Sequence, residues 1–242
     1  MKKIFLFVIA CCVFMSVNAQ EGTTGRFTFP IKPGDSEWEQ MDSPISRIIS
    51  MQIPNNIIRE IPTEELLGLC LDYPYIIDVI FADNYQKGIE ISISEFNGFR
   101  EVLKREDVVK VLVKKLESIP NKIHSIKNKT DIEKGRFSFQ CFFLELLVAQ
   151  DAILSKMNQE QEDSICAFLF RNVEAKNAES DIFGEIHNVS TSLILAKMAL
   201  RNPNYEISET QREELNLFVK SPSFLNPIIT DCLANYRRKM IE

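Results

Sequence analysis

The sequence predicts an all-α protein. Three observations carry that prediction. Apolar residues recur at helical rather than alternating spacing from residue 35 onward, capping boxes punctuate the chain, and short proline- and asparagine-rich turns separate the periodic runs. Sustained heptads are absent, and no period of about 34 or about 40–47 residues repeats, which excludes a coiled coil and the common helical repeat arrays. The expected architecture is an irregular stack of antiparallel helix pairs, similar to an α-α superhelix, with a compact helical bundle as the alternative.

The first 19 residues stand apart. "MKK" is a basic start, "IFLFVIACCVFM" an apolar core, and Val17 and Ala19 are the small residues of a cleavage site, so residues 1–19 read as a signal peptide removed before Gln20. The apolar run falls short of the roughly 20 residues of a membrane span. Lipidation at Cys11 is the less favoured reading, because apolar residues continue beyond that cysteine. Residues 20–34 form an extended lead-in in which Phe27, Phe29 and Ile31 alternate as an edge segment, and residues 35–242 form one helical domain with a candidate lobe boundary at 120–136.

Within that domain, Ser36 and Glu39 suggest a capping box for a first helix carrying Trp38, Ile45, Ile48 and Ile49. Pro54 and Pro62 interrupt it, and Thr63 is placed to cap a helix over 64–71. Tyr73 precedes proline and is biased out of helical geometry, so Pro74 starts a new short helix. "KGIEISISEFNGFREVLKR" then reads as one long helix, with Ile89, Ile93, Phe96, Phe99 and Leu103 on one stripe. "EDVVKVLVKKLESI" opposes Val108, Val109, Leu112 and Leu116 to three lysines, and 120–136 reads as a polar connection with a Thr130–Glu133 capping box at its end. "FSFQCFFLELLVAQDAIL" is apolar nearly all round and is the expected central helix. Capping boxes at Asn158–Gln161 and Ser208–Gln211, a helix ending before Pro203, and a last helix from Pro227 complete the chain.

Composition restricts the function. Without Lys2 and Lys3 the charge of −6 becomes −8, opposite in sign to a general nucleic-acid binder. Cys70, Cys141, Cys166 and Cys232 lie in apolar helical patterns and show no CxxC spacing, so they read as buried free thiols, with no zinc site signalled. His124 and His187 lack metal-ligand spacing and read as surface or capping residues, no serine sits in GxSxG, and no glycine-rich phosphate loop is present. No catalytic, cofactor-binding or metal-binding residue is therefore assigned.

Three groups of residues remain as candidates. Asp78, among Ile76, Ile77, Val79 and Ile80, is expected to be a partly buried strut paired with Arg100. Tyr73 and Pro74 are expected to form a corner against Gly98, a glycine that a helix tolerates at about 1 kcal/mol if another backbone approaches closely. Residues 100–136 carry 11 basic and six acidic residues, and Lys122, Lys127, Lys129 and Lys134 are a candidate patch for an anionic partner.

Trp38, the "CLDYP" of 70–74, the "FNG" of 96–98 and the "LKRED" of 103–107 together resemble blocks of an uncharacterised family of secreted, all-helical proteins from Gram-negative anaerobes. The resemblance covers residues 38–116. It implies export and helical architecture, and it implies no catalytic residue. The expected function is that of an exported, periplasmic or secreted non-catalytic module that binds an unknown protein or envelope component, without cofactor, nucleic acid or transmembrane segment. The alternatives are an enzyme using unidentified carboxylates, or a binder of lipopolysaccharide or membrane surface through residues 100–136.

Overall fold

The computed structural model describes residues 27–183, 186–223 and 225–241, and every regular element among them is helical. The leader, the cleavage point before Gln20 and Cys11 lie outside the described residues. Phe27, Phe29 and Ile31 form no strand. Phe29 is instead buried against the rings of Tyr73 and Phe96.

The single first helix of the sequence reading is two helices, α1 (Ser36–Glu39) and α2 (Pro44–Ser50). Ser36 turns its hydroxyl to Glu37 instead of completing a box, and a box between Ser43 and Ser46 restarts the chain in a new direction. Ile45 and Ile49 consequently face solvent, while Trp38 is buried beneath the Arg47 guanidinium, 5.4 Å from its ring centre. After α3 (Asn55–Glu60), Thr63 lies inside α4 (Thr63–Leu71) and does not cap it. Its hydroxyl donates to Asp107 Oδ1 at 2.6 Å, tying the start of α4 to the start of α7 (Val108–Glu117).

Tyr73 is extended, and Pro74 opens a 3-10 helix, Pro74–Phe81. Three residues per turn eclipse positions i and i+3. Ile76 and Val79 therefore share the buried face, and Ile77 and Ile80 share an exposed one. Val79 packs against Gly88 of α5 (Tyr85–Glu95), where an added Cβ would lie 2.7 Å from Val79 Cα. This is a backbone-to-backbone approach that only glycine permits.

The long helix expected across 87–105 is broken at Phe96, whose backbone is extended (φ −111°, ψ 123°) between α5 and α6 (Asn97–Val102). The break is held by reciprocal amide bonds from a distant loop. Asn97 Oδ1 accepts from the Ile53 N–H and Asn97 Nδ2 donates to the Ile53 carbonyl, at 3.1 and 2.7 Å. Gln52 in turn accepts from the Asn97 N–H and donates to the Glu95 carbonyl, at 3.0 and 2.9 Å. Two of these bonds satisfy the Glu95 carbonyl and the Asn97 N–H at the interruption, and the other two satisfy the N–H and carbonyl of Ile53 in the loop. They also let Phe96 swing into the core, where it stacks on Tyr73 with ring centres 4.4 Å apart.

The region 120–136 is largely helical. α8 (Ile119–Ile126) buries Ile119 and Ile123 against α9 (Asp131–Val148) and α11 (Gln159–Asn177). The Thr130–Glu133, Asn158–Gln161 and Ser208–Gln211 capping boxes all form, opening α9, α11 and α14 (Glu209–Lys220). α9 occupies the centre, and every residue from Cys141 to Val148 is buried. Two single-turn helices, α10 (Asp151–Leu154) and α12 (Ser180–Phe183), flank α11. α13 (Ile186–Arg201) packs on α9, α11, α14 and α15 (Pro227–Ile241). The four cysteines among the described residues, Cys70, Cys141, Cys166 and Cys232, are buried and free, and burial pushes the Cys141 and Cys166 thiols up to about 12.

Candidate functional site

A cleft of about 900 Å³ opens among the described residues between α4, residues 27–33, α7 and α9. Two smaller cavities, of about 220 and 300 Å³, adjoin it, and Asp72 lines all three. Asp72 is there because α4 ends at it, the following Tyr73–Pro74 step forbidding another helical turn. Its carboxylate accepts from Arg136 at 2.9 Å and from Gln140 Nε2 at 2.8 Å, so α9 is pinned to the corner through two side chains one turn apart.

Glycine keeps this cleft open. Gly68 lines both the main cleft and the 220 Å³ cavity, and a Cβ added there meets nothing within 4 Å. Phe27, Thr28 and Phe29, which also line the cleft, run without regular structure. Among the described residues, the backbone groups of 27–29 make no backbone–backbone hydrogen bond, leaving a short, unpaired stretch of main chain beside the cleft before the chain bends at Pro30 and Ile31.

The charges of the cleft divide into committed and free. Lys114 donates to Glu64 at 2.8 Å and holds its carboxyl below the usual range, and Arg136 is taken by Asp72. Half-buried Lys115 and exposed Lys122 make no ion pair among the described residues. Burial holds the Lys115 ammonium below its ordinary value, and the neighbouring Lys122 charge adds to the effect.

The residues singled out in the sequence are placed as follows. Asp78 is exposed, and partial desolvation raises its carboxyl. It is not paired with Arg100, whose guanidinium donates to the Ile93 and Ser94 carbonyls instead. The break at Phe96 accounts for this, since it turns Arg100 back over the end of α5. Tyr73 is buried in the corner as expected, but Gly98 meets it at one remove. An added Cβ at Gly98 would come within 2.8 Å of Phe96 Cζ, and the Phe96 ring is what stacks on Tyr73. Of the four patch lysines, Lys127 pairs with Glu179, Lys129 with Glu133 and Lys134 with Asp131, so Lys122 alone faces the cleft system without a carboxylate partner among the described residues.

A second constellation escaped the sequence reading. Glu145, in the middle of α9 and fully buried, accepts from Lys176 Nζ at 2.5 Å, Ser190 Oγ at 2.6 Å and Thr191 Oγ1 at 2.9 Å. Beside it, Ser138 Oγ and His187 Nε2 are 2.8 Å apart, and His187 Nδ1 has no partner among the described residues. His187 is thus a core residue, not the surface or capping residue its polar neighbours suggested. Burial pushes its imidazole down to about 3, with the Lys176 charge a smaller cause. The signal available was Glu145 itself, the single charge inside "CFFLELLVA". Its partners come from α11 and α13, at separations that no local pattern encodes. None of the three cavities is lined by this cluster.

Among the described residues, no group of three or more His, Cys, Asp or Glu is placed to hold a metal ion, and no helix is long and apolar enough to cross a membrane. Comparison with protein families, curated proteins and solved structures returns no match.

Proposed function

We propose that this chain is an exported, non-catalytic binding module that seats an extended segment of a partner protein in the cleft at Asp72. The observation that carries the reading is the unpaired backbone of 27–29 along a cleft of about 900 Å³. An extended peptide laid beside such an edge gains main-chain hydrogen bonds, and the apolar walls supply pockets for its alternate side chains. Leu69, Pro62 and Pro74 give the cleft apolar surface, while Glu64, paired with Lys114, and the Arg136–Asp72 pair give it a polar rim. Export rests on the leader pattern of residues 1–19.

Gly68 provides the test. Gly68→Leu replaces a glycine inside a helix, which by propensity stabilises the fold by roughly 0.5–1 kcal/mol, and its side chain enters the open cleft. A pool of randomised hexapeptides is applied to the wild-type protein and to this variant, and retained peptides are read by mass spectrometry. Retention by wild type, lost in a variant that melts no lower, is the expected outcome. Equal retention by both proteins, or none by wild type, removes the cleft from the reading.

A further inference from the structure

The 220 Å³ cavity is an end pocket of the cleft, sharing Gly68, Asp72 and Lys115 with it. Its floor is apolar, made by Leu71, Ile119, Phe137 and Leu144, and its polar lining includes Lys115, Lys122 and Gln140. We infer that this pocket is a seat for a terminal carboxylate attached to an apolar side chain, so that the cleft captures the C-terminus of its partner. The inference rests on the peptide-binding reading above and specifies which end of the segment is held.

Charge and shape support it together. The acidic group nearest this cavity, Asp72, is already bonded to Arg136 and Gln140. The two lysines make no ion pair among the described residues, and Asp72 and Glu64 act on Lys115 only at a distance, so two ammonium groups face the pocket without a bonded carboxylate. Lys115 is half-buried on α7 and Lys122 lies on α8, so each is held by a different helix and both are near enough to feel each other's charge. One carboxylate between them relieves that repulsion and gains charge-assisted hydrogen bonds. The apolar floor disfavours a bare inorganic anion, which brings nothing to cover it, whereas an aliphatic or aromatic last residue fills it. The open route past Gly68 into the main cleft lets the rest of an extended chain run on toward residues 27–29.

The experiment compares two randomised hexapeptide pools, one with free C-terminal carboxylates and one amidated, on the wild-type protein and on Lys115→Gln/Lys122→Gln, with octanoate as a separate small-molecule probe. Free-acid peptides ending in apolar residues should be retained, their amides at least tenfold more weakly, and the difference should vanish in the double variant. Thermal melting of the double variant shows whether it is folded. Should it fail to fold, the acid-to-amide ratio on wild type still decides. Equal retention of both pools overturns the carboxylate seat and leaves the peptide cleft standing. No retention from either pool overturns both, and octanoate binding without peptide retention overturns the C-terminal source.

Discussion

Acid should weaken this fold in part through a buried histidine, His187. Its imidazole is 2% exposed, bonded through Nε2 to Ser138 Oγ, and held down to about 3 from an ordinary 6.5, chiefly by burial. Because the folded value is depressed, the unfolded chain binds this proton first. Stability is therefore complete above pH 6.5 and is lost as pH falls from 6.5 toward 3. At pH 4.5, about two units below the ordinary imidazole value, the unfolded imidazole is protonated while the folded one is still neutral, which amounts to about 3 kcal/mol at 1.36 kcal/mol per unit. Carboxylates also titrate in this range, so the comparison is with His187→Gln, which retains a group able to bond Ser138 and removes the titration. Urea unfolding at pH 7.5, 5.5 and 4.5 should show wild type losing about 3 kcal/mol more than the variant between the two extremes. Parallel pH profiles would refute the argument. They would mean that the imidazole takes up its proton in the folded state, through an opening of α13 that the packing does not contain.

Two further outcomes follow from the packing. Lys176→Met strands the Glu145 carboxylate with two hydroxyl donors and should cost about 3–5 kcal/mol by chemical denaturation, whereas Lys176→Met combined with Glu145→Leu should recover most of it. Gly88→Ala gains about 1 kcal/mol of helix propensity but places a Cβ 2.6 Å from Val79 Cγ2 and 2.7 Å from its Cα. Overpacking of about 1–3 kcal/mol should outweigh the propensity gain, and a lowered melting temperature is the check.

Helical class, three of the four expected capping boxes and the central position of α9 were legible in the sequence because each rests on local spacing; the box expected at Ser36–Glu39 does not form. A Ser, Thr or Asn three residues before Glu or Gln needs no knowledge of the rest of the chain. The long helix through Phe96 was misread for the same reason. Its apolar stripe is continuous, and the bonds that break it come from Gln52 and Ile53, more than 40 residues away. Asp78 follows from that error, since the expected Arg100 partner is aimed elsewhere once α5 and α6 separate. The 120–136 segment looked like a loop because its charges are dense. Only packing reveals that Ile119 and Ile123 give it one buried face.

For the site the division is sharper. The sequence by itself determined that Tyr73–Pro74 ends a helix, that Asp72 therefore stands at a corner, and that the surrounding segment is rich in lysine. Which lysines keep their charge free was decided by tertiary structure, because Glu179 comes from a distant turn to neutralise Lys127 while Lys115 and Lys122 are left beside a cavity. A cleft is a space between elements, and no single stretch of chain contains it. Gly68, unremarked in its own helix, acquires its meaning only when α9 is laid across the corner and the missing side chain becomes an open channel.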